Sequence, residues 1–241
     1  MVPTARGHAL AREVPKIIGD IEHMLAPADP FVPSTSSRTF RLIAPDFIMP
    51  MVVTLLRKSR EDAPGISLEL VPVTPDALAD MKQGRCDALV APSGLRDDAL
   101  RGHSLGLWPW AVFGRTGHKA FADWSPASWA RYPHLQVRAA GPEGKGPVDQ
   151  MAAKLSLTRK IGAIVPHFSA AAFVLAETDL LLTVPTIAVQ GLSNHYGLEQ
   201  REVPFALPPL KLPLFHNAKK GDEPDVRWFR DEVKDAFSKM A

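Results

Sequence analysis

The chain has 241 residues, of which 46% are hydrophobic, so it holds enough apolar material for one large domain or two small lobes. Its formal net charge of +2 argues against a nucleic-acid-binding surface, where a stripe of basic residues is expected. A single cysteine, Cys86, excludes an internal disulfide and a cysteine-rich metal site. Because the amino-terminal residues are charged, we expect no signal peptide and a cytoplasmic protein.

The first predicted element is an amphipathic helix that ends near residue 25. Its apolar residues recur at alternating spacings of four and three, the a/d pattern of a coiled-coil seam. Pro15 lies within it and favours a kink. We expect this helix to pair two chains, although a helix packed on its own domain shows the same pattern. The residues of this dimerisation helix are Leu10, Val14, Ile17, Ile21 and Met24.

After a proline-rich break over residues 26–33, strands and helices alternate in β-α-β-α-β order. This order implies a parallel sheet with right-handed crossovers. The predicted strands cover 40–45, 67–73 and 87–92, and the predicted helices cover 50–60 and 75–83.

A second run of the same kind begins with a strand over 107–115, which we expect to cross between two lobes. The final helix, over 223–239, is predicted to have Asp222 as its N-cap and to bury Val226, Phe229, Val233 and Phe237. The remaining strands of this second run are expected over 134–139, 160–165, 180–184 and 210–216. Its remaining helices are expected over 125–132, 148–155, 169–177 and 186–195. The pattern predicts an α/β fold with two open-sheeted lobes, the type 2 periplasmic-binding-protein architecture, preceded by a linker helix.

Short strings of residues, in a specific order, resemble the LysR-type transcriptional regulators, and in particular their NodD and NahR branch. In that family the string at 2–7 ends a DNA-binding wing, and the string at 37–42 opens the effector-binding domain. The strings at 82–89 and 114–118 lie at turns beside strands of that domain, and the strings at 164–168 and 178–185 lie in its second half. The strings are VPTARG at 2–7, SRTFRL at 37–42, KQGRCDAL at 82–89, GRTGH at 114–118, IVPHF at 164–168 and TDLLLTVP at 178–185.

The resemblance implies a wing end, linker helix and hinge over 1–33, followed by an effector-binding domain over 37–241. Its first lobe is expected over about 37–115 and 211–241, and its second over about 116–210. It also implies a homodimer or homotetramer that binds a small effector in the cleft between the lobes, and we expect this effector to be aromatic or carboxylate-bearing. DNA contact is expected only through a winged helix-turn-helix that is missing from these residues.

The resemblance places two strand-to-helix turns at the cleft, and their residues combine aromatic rings with groups that bind polar atoms. Phe47 can stack on a ring, Asp46 can bind a hydroxyl or amine, and His167 with Ser169 begins a helix whose amino end attracts anions. Each polar residue can instead cap a helix or face solvent. The candidate effector-binding residues are Asp46, Phe47, Thr74, Arg138, His167, Phe168 and Ser169.

The remaining motifs do not support catalysis or a cofactor. The glycine-rich segment over 141–147 lacks the spacing and the Ser or Thr of a phosphate-binding loop. The histidines lack metal-ligand spacing, and no nucleophile elbow is present. We therefore expect no enzyme activity, no metal, no cofactor and no membrane span. The alternative functions are a freestanding solute-binding domain or a truncated regulator that acts by heterodimerisation.

Overall fold

A computed structural model describes residue 14, residues 31–91, residue 95 and residues 97–138 and 146–239. The chain forms two compact units, Met1–Val32 and Pro33–Ala241. In the first unit Val14 is helical, and its side chain is 42% exposed. The other residues of the predicted dimerisation helix (Leu10, Ile17, Ile21 and Met24) lie outside the described residues, as does Pro15.

The second unit contains a five-stranded sheet in the order β2-β1-β3-β10-β4. The first three strands along the chain pair in parallel, as the alternating pattern predicted, whereas β10 pairs antiparallel with both of its neighbours. The strands of this sheet are β1 (Thr39–Ile43), β2 (Ser67–Val71), β3 (Ala88–Val90), β4 (Leu100–Trp108) and β10 (Leu210–Asn217). This sheet is the centre of the first lobe.

The second lobe contains an antiparallel sheet in the order β8-β5-β9 and a parallel pair, β6-β7. A parallel bridge between His134 and Leu181 joins the pair to the segment leading into β8. The strands are β5 (Trp110–Arg115), β6 (His134–Val137), β7 (Ile161–Val165), β8 (Leu182–Pro185) and β9 (Leu198–Glu202). The predicted α/β fold of two open-sheeted lobes is confirmed.

Helices cover the faces of these sheets. In α3 the hydroxyl groups of Ser125 and Ser128 each accept a hydrogen bond from the other residue's backbone N–H, forming a capping box. In α7 the predicted inner face, Val226, Phe229, Val233 and Phe237, is buried. The helices are α1 (Met49–Asp62), α2 (Ala77–Lys82), α3 (Pro126–Arg131), α4 (Pro147–Lys154), α5 (Phe168–Ala176), α6 (Gln190–Ser193) and α7 (Pro224–Ser238).

The single crossing strand predicted over 107–115 is wrong. The chain instead leaves the five-stranded sheet at Pro109, so that β4 and β5 belong to different sheets. Proline has no N–H to donate to a strand ladder and fixes its own φ, which makes it a natural end to both strands. The lobe boundaries near 115 and 211 remain predictions.

Three smaller expectations also need correction. The helix predicted over 186–195 is a 3-10 turn, Thr186–Ala188, followed by the short α6. The N-cap of α7 is Glu223 and not Asp222, and α5 begins at Phe168, with His167 as its N-cap, one residue earlier than predicted. Strand β9 was not predicted, because its polar sequence, LEQRE, lacks the apolar alternation that indicates a strand.

Candidate functional site

A cavity of about 400 Å³ lies between the two lobes. The first lobe contributes the segments that follow β1 and β2, and the second contributes β6, β8 and the start of α4. Ligands of open α/β sheets bind beyond the carboxyl ends of strands, where these segments lie. The lining residues are Pro45, Phe47, Val73, Trp110, Leu135, Gln136, Val137, Gly146, Pro147, Val148, Asp149, Arg159, Phe168, Leu182, Thr183, Val184, Pro185 and Leu210.

Three aromatic rings form part of this lining. Phe47 of the first lobe meets Phe168 of the second edge to face, with 5.1 Å between the ring centroids. Trp110 begins β5, and its indole N–H donates a hydrogen bond to the carbonyl of Pro208 at 2.9 Å. Because that bond satisfies the indole donor, the ring itself is available to the cavity as an apolar surface.

Asp46 joins the two lobes beside the aromatic pair. Its carboxylate accepts hydrogen bonds from the backbone N–H groups of Phe168, at 3.1 Å, and Ser169, at 2.8 Å. These donors belong to the first turn of α5, and the side chain of the N-cap residue His167 makes no capping bond there. The amino end of α5 is therefore capped by a carboxylate from the opposite lobe.

One charged pair lines the cavity on the side of the second lobe. Arg159 donates from Nε to Oδ1 of Asp149 at 2.7 Å and from Nη2 to Oδ2 at 3.0 Å. The Arg159 side chain is only 7% exposed, against 24% for Asp149. This two-point geometry fixes the guanidinium at the cavity wall and places a buried cation within reach of a ligand.

The seven candidate residues occupy different positions around this cavity. Phe47 and Phe168 line it, and Asp46 and Ser169 meet beside them through the hydrogen bond described above. Thr74, Arg138 and His167 are exposed and are not among the lining residues. Most of the glycine-rich segment, residues 141–145, lies outside the described residues.

Sequence reasoning missed one aromatic and two charged lining residues, Trp110, Asp149 and Arg159. Trp110 lies within the strand predicted over 107–115, which was not expected to break at Pro109. The partners Asp149 and Arg159 are separated by the end of α4 and by a tight turn in which Ser156 has a φ of 57°. No local spacing rule connects two residues across such a turn.

Within the described part of the chain, no three His, Cys, Asp or Glu side chains are grouped as metal ligands. The same part contains no helix that is both long and apolar enough to cross a membrane.

Comparison with known proteins agrees with this architecture. NagR, a transcriptional activator from Ralstonia sp, is 28% identical over 99% of this chain and 80% of its own length. Nodulation protein D 3 of Rhizobium leguminosarum bv. phaseoli is 28% identical over 95% of this chain and 77% of its own length. The crystal structure of a probable transcriptional regulator from Pseudomonas aeruginosa has a TM-score of 0.79 and 26% identity, and covers 98% of this chain and 78% of its own.

A second solved structure, the regulatory domain of the activator MexT from Pseudomonas aeruginosa, shares the fold with a TM-score of 0.73 and 24% identity. It covers 84% of this chain and 99% of its own. The model of the LysR substrate binding domain matches residues 34–238, which include both lobes and all of the cavity lining. The chain therefore belongs to the LysR substrate-binding domain family, the effector-sensing part of LysR-type transcriptional regulators.

Proposed function

We propose that the domain senses a small aromatic or carboxylate-bearing effector in the cavity between its lobes and thereby controls transcription. The observation that carries this proposal is the cavity itself, whose size suits a molecule of one or two rings. Its lining is dominated by apolar side chains and includes three aromatic rings, so an aromatic effector gains most by leaving water there.

Polar groups in and beside the cavity support recognition of a substituted ring. Arg159 offers a buried guanidinium to an effector carboxylate where its partner Asp149 of α4 lines the cavity. We also keep Asp46, Phe47, Thr74, Arg138, His167, Phe168 and Ser169 as candidate contacts. For the exposed members of this set, contact requires the ligand to extend to the cavity mouth or the lobes to close further.

The effector proposal is tested by titrating the purified protein with benzoate, benzamide, phenol and naphthalene derivatives. Because Trp110 lines the cavity, its fluorescence reports occupancy directly, and thermal unfolding reports stabilisation. We expect Phe168→Ala to weaken binding about tenfold, since it removes one aromatic wall. Phe173→Ala, on the same helix but 61% exposed, is the matched control and leaves affinity unchanged. Equal affinities for the two variants would refute the proposed site.

We also propose that the protein works as a homo-oligomer, in agreement with the family. The outer face of α1 presents an exposed apolar stripe of Met49, Val53 and Leu56, at helical spacing. The adjacent strand β2 is an edge of the five-stranded sheet. A second copy of the chain is the occupant that we assign to this face. Val53→Arg is expected to lower the assembly state in sedimentation velocity, whereas Phe173→Arg leaves it unchanged; the reverse result would refute the assignment.

Transmission to DNA follows from the same proposal. An effector changes transcription only if it binds one arrangement of lobes or subunits more tightly than another. We propose that this domain is a sensor without catalytic activity, that it acts in the cytoplasm where the chromosome lies, and that DNA is contacted by a winged helix-turn-helix of the same regulator. A promoter reporter tests the link from effector binding to transcription. Reporter expression should respond to a ligand of the cavity, and the Phe168→Ala variant should lose that response.

A further inference from the structure

We propose that Asp46 is a built-in anion that occupies the amino end of α5 and latches the two lobes together. In consequence, the effector presents a neutral or hydrogen-bond-donating group, and not a carboxylate, to the part of the cavity beside Asp46. The conclusion about the chemistry of the effector rests on the proposed function, whereas the contact between Asp46 and α5 exists without an effector.

The first support is the geometry of the contact. Both carboxylate oxygens are used, and their donors are the consecutive backbone N–H groups of Phe168 and Ser169. Unpaired N–H groups and the helix dipole make this position favourable for negative charge. The first turn of α5 contains no acidic residue of its own, and its N-cap side chain makes no capping bond. The negative charge at this helix end is therefore supplied from 122 residues away along the chain.

The second support is the position of Asp46 within the fold. It directly follows β1 and begins a 3-10 turn, Asp46–Ile48, whose residues Phe47 and Ile48 are buried in the first lobe. The neighbouring Phe47 ring contacts the Phe168 ring across the cleft, and both rings line the cavity. A movement that separates the lobes at this point would break the two hydrogen bonds and the ring contact together. The latch therefore favours the closed arrangement.

The consequence for ligand chemistry follows from charge. An effector carboxylate near Asp46 would face a like charge while the helix donors are already occupied. The carboxylate oxygens still have free lone pairs, which can accept from a hydroxyl, amide or amine of the effector. A carboxylate-bearing effector is therefore expected to direct its charge towards Arg159, the cation of the cavity lining, and away from Asp46.

Chemical rescue tests this assignment without any effector. Asp46→Gly empties the helix end and leaves space for acetate. We expect its melting temperature to fall by about 3–6 °C, as for the loss of a helix cap. Acetate at 100 mM should restore most of the loss, whereas acetamide or sodium chloride at the same concentration should not. Wild-type protein should respond to none of them, because its own carboxylate fills the position.

Hydrogen exchange shows which part of the protein is destabilised by Asp46→Gly. The amides of Phe168 and Ser169 should exchange at least tenfold faster in Asp46→Gly and recover with acetate. Asp76→Gly is the matched control, because Asp76 is the N-cap of α2 but makes no side-chain capping bond, so acetate should not stabilise it. Asp46→Asn, which keeps the shape and removes the charge, should be destabilised and insensitive to acetate.

Two results would overturn the latch: an Asp46→Asn protein as stable as wild type, or an Asp46→Gly protein whose lost stability acetate does not recover. Rescue by acetate combined with no binding of any aromatic probe would leave the latch standing and defeat the proposed effector class instead. Preferential binding of benzoate over benzamide that does not depend on Arg159 would overturn the stated ligand chemistry.

Discussion

Protonation of one buried histidine should make this domain sensitive to acid. His134 is the first residue of β6, its side chain is fully buried, and its Nε2 lies 2.8 Å from the carbonyl oxygen of Trp129. Since a carbonyl only accepts, Nε2 carries the proton of the neutral ring. Within the described residues, Nδ1 has no hydrogen-bond partner. Burial lowers the pKa of His134 from 6.5 to about 4, because a second proton would place an unpaired charge in the core.

The direction of the effect follows from proton uptake. Between pH 6.5 and 4 the unfolded chain binds a proton at this residue and the folded protein does not, so folding stability falls as the pH falls. The loss attributable to His134 is about 2 kcal/mol at pH 5 and about 3 kcal/mol at pH 4, relative to pH 7.5.

The assay is urea unfolding at pH 7.5 and pH 5 for wild type, His134→Gln and His195→Gln. Glutamine retains an N–H donor for the Trp129 carbonyl but does not titrate, so the wild type should lose about 2 kcal/mol more than His134→Gln between the two pH values. His195 is exposed, and its substitution controls for the removal of a histidine that does not contact the core. Identical pH dependence in wild type and His134→Gln would refute the reasoning.

Two further substitutions have well-defined expected effects. In Gly221→Ala the new Cβ would clash with Cε1 of the buried His216. This ring cannot move freely, because its Nε2 is 2.9 Å from Nε2 of His103. The free energy of unfolding, measured by urea titration, should therefore fall by about 1–3 kcal/mol. Gly191→Ala, where the nearest atom is 3.5 Å away, should cause no loss, and equal effects would contradict the clash. Arg159→Met should cost about 1–3 kcal/mol, because it leaves the partly buried Asp149 carboxylate without its guanidinium. Adding Asp149→Leu should recover most of that loss, and a double variant no more stable than Arg159→Met would contradict the explanation.

Local sequence signals were sufficient for the parts of the fold that local chemistry determines. Strand β1 alternates exposed polar and buried apolar residues before its two apolar final residues, β3 is a short apolar run, and α7 has a clear apolar face with proline in its first turn. Strand β9 escaped prediction because its stability comes from pairing with β5 at the sheet edge, a property of its neighbour and not of its own polar residues.

The candidate site, like the fold, was predictable only in part. Phe47 and Phe168 could be placed at the cleft because each follows a strand end in a turn that the family resemblance assigns to the effector site, and both line the cavity. The partners of the charged residues could not be predicted. Asp46 caps a helix that is distant in sequence, and Arg159 pairs with Asp149 across a turn. Such pairing depends on how the lobes and turns pack together. The spacing of residues within a short stretch of sequence carries no information about that packing.

The positions of the two charged groups suggest how one cavity combines affinity with selectivity. The apolar lining can hold many rings of similar size, because burial of apolar surface does not depend on direction. Direction comes from charged groups in fixed positions: Arg159 lines the cavity, and Asp46 is held beside the aromatic pair that lines it. Each already has a partner, so neither imposes an unpaired buried charge on the empty protein. An effector that matches both groups gains hydrogen bonds in addition to burial, whereas one that places a carboxylate beside Asp46 brings like charges together. Discrimination between related ring compounds should therefore depend on their polar substituents more than on their size.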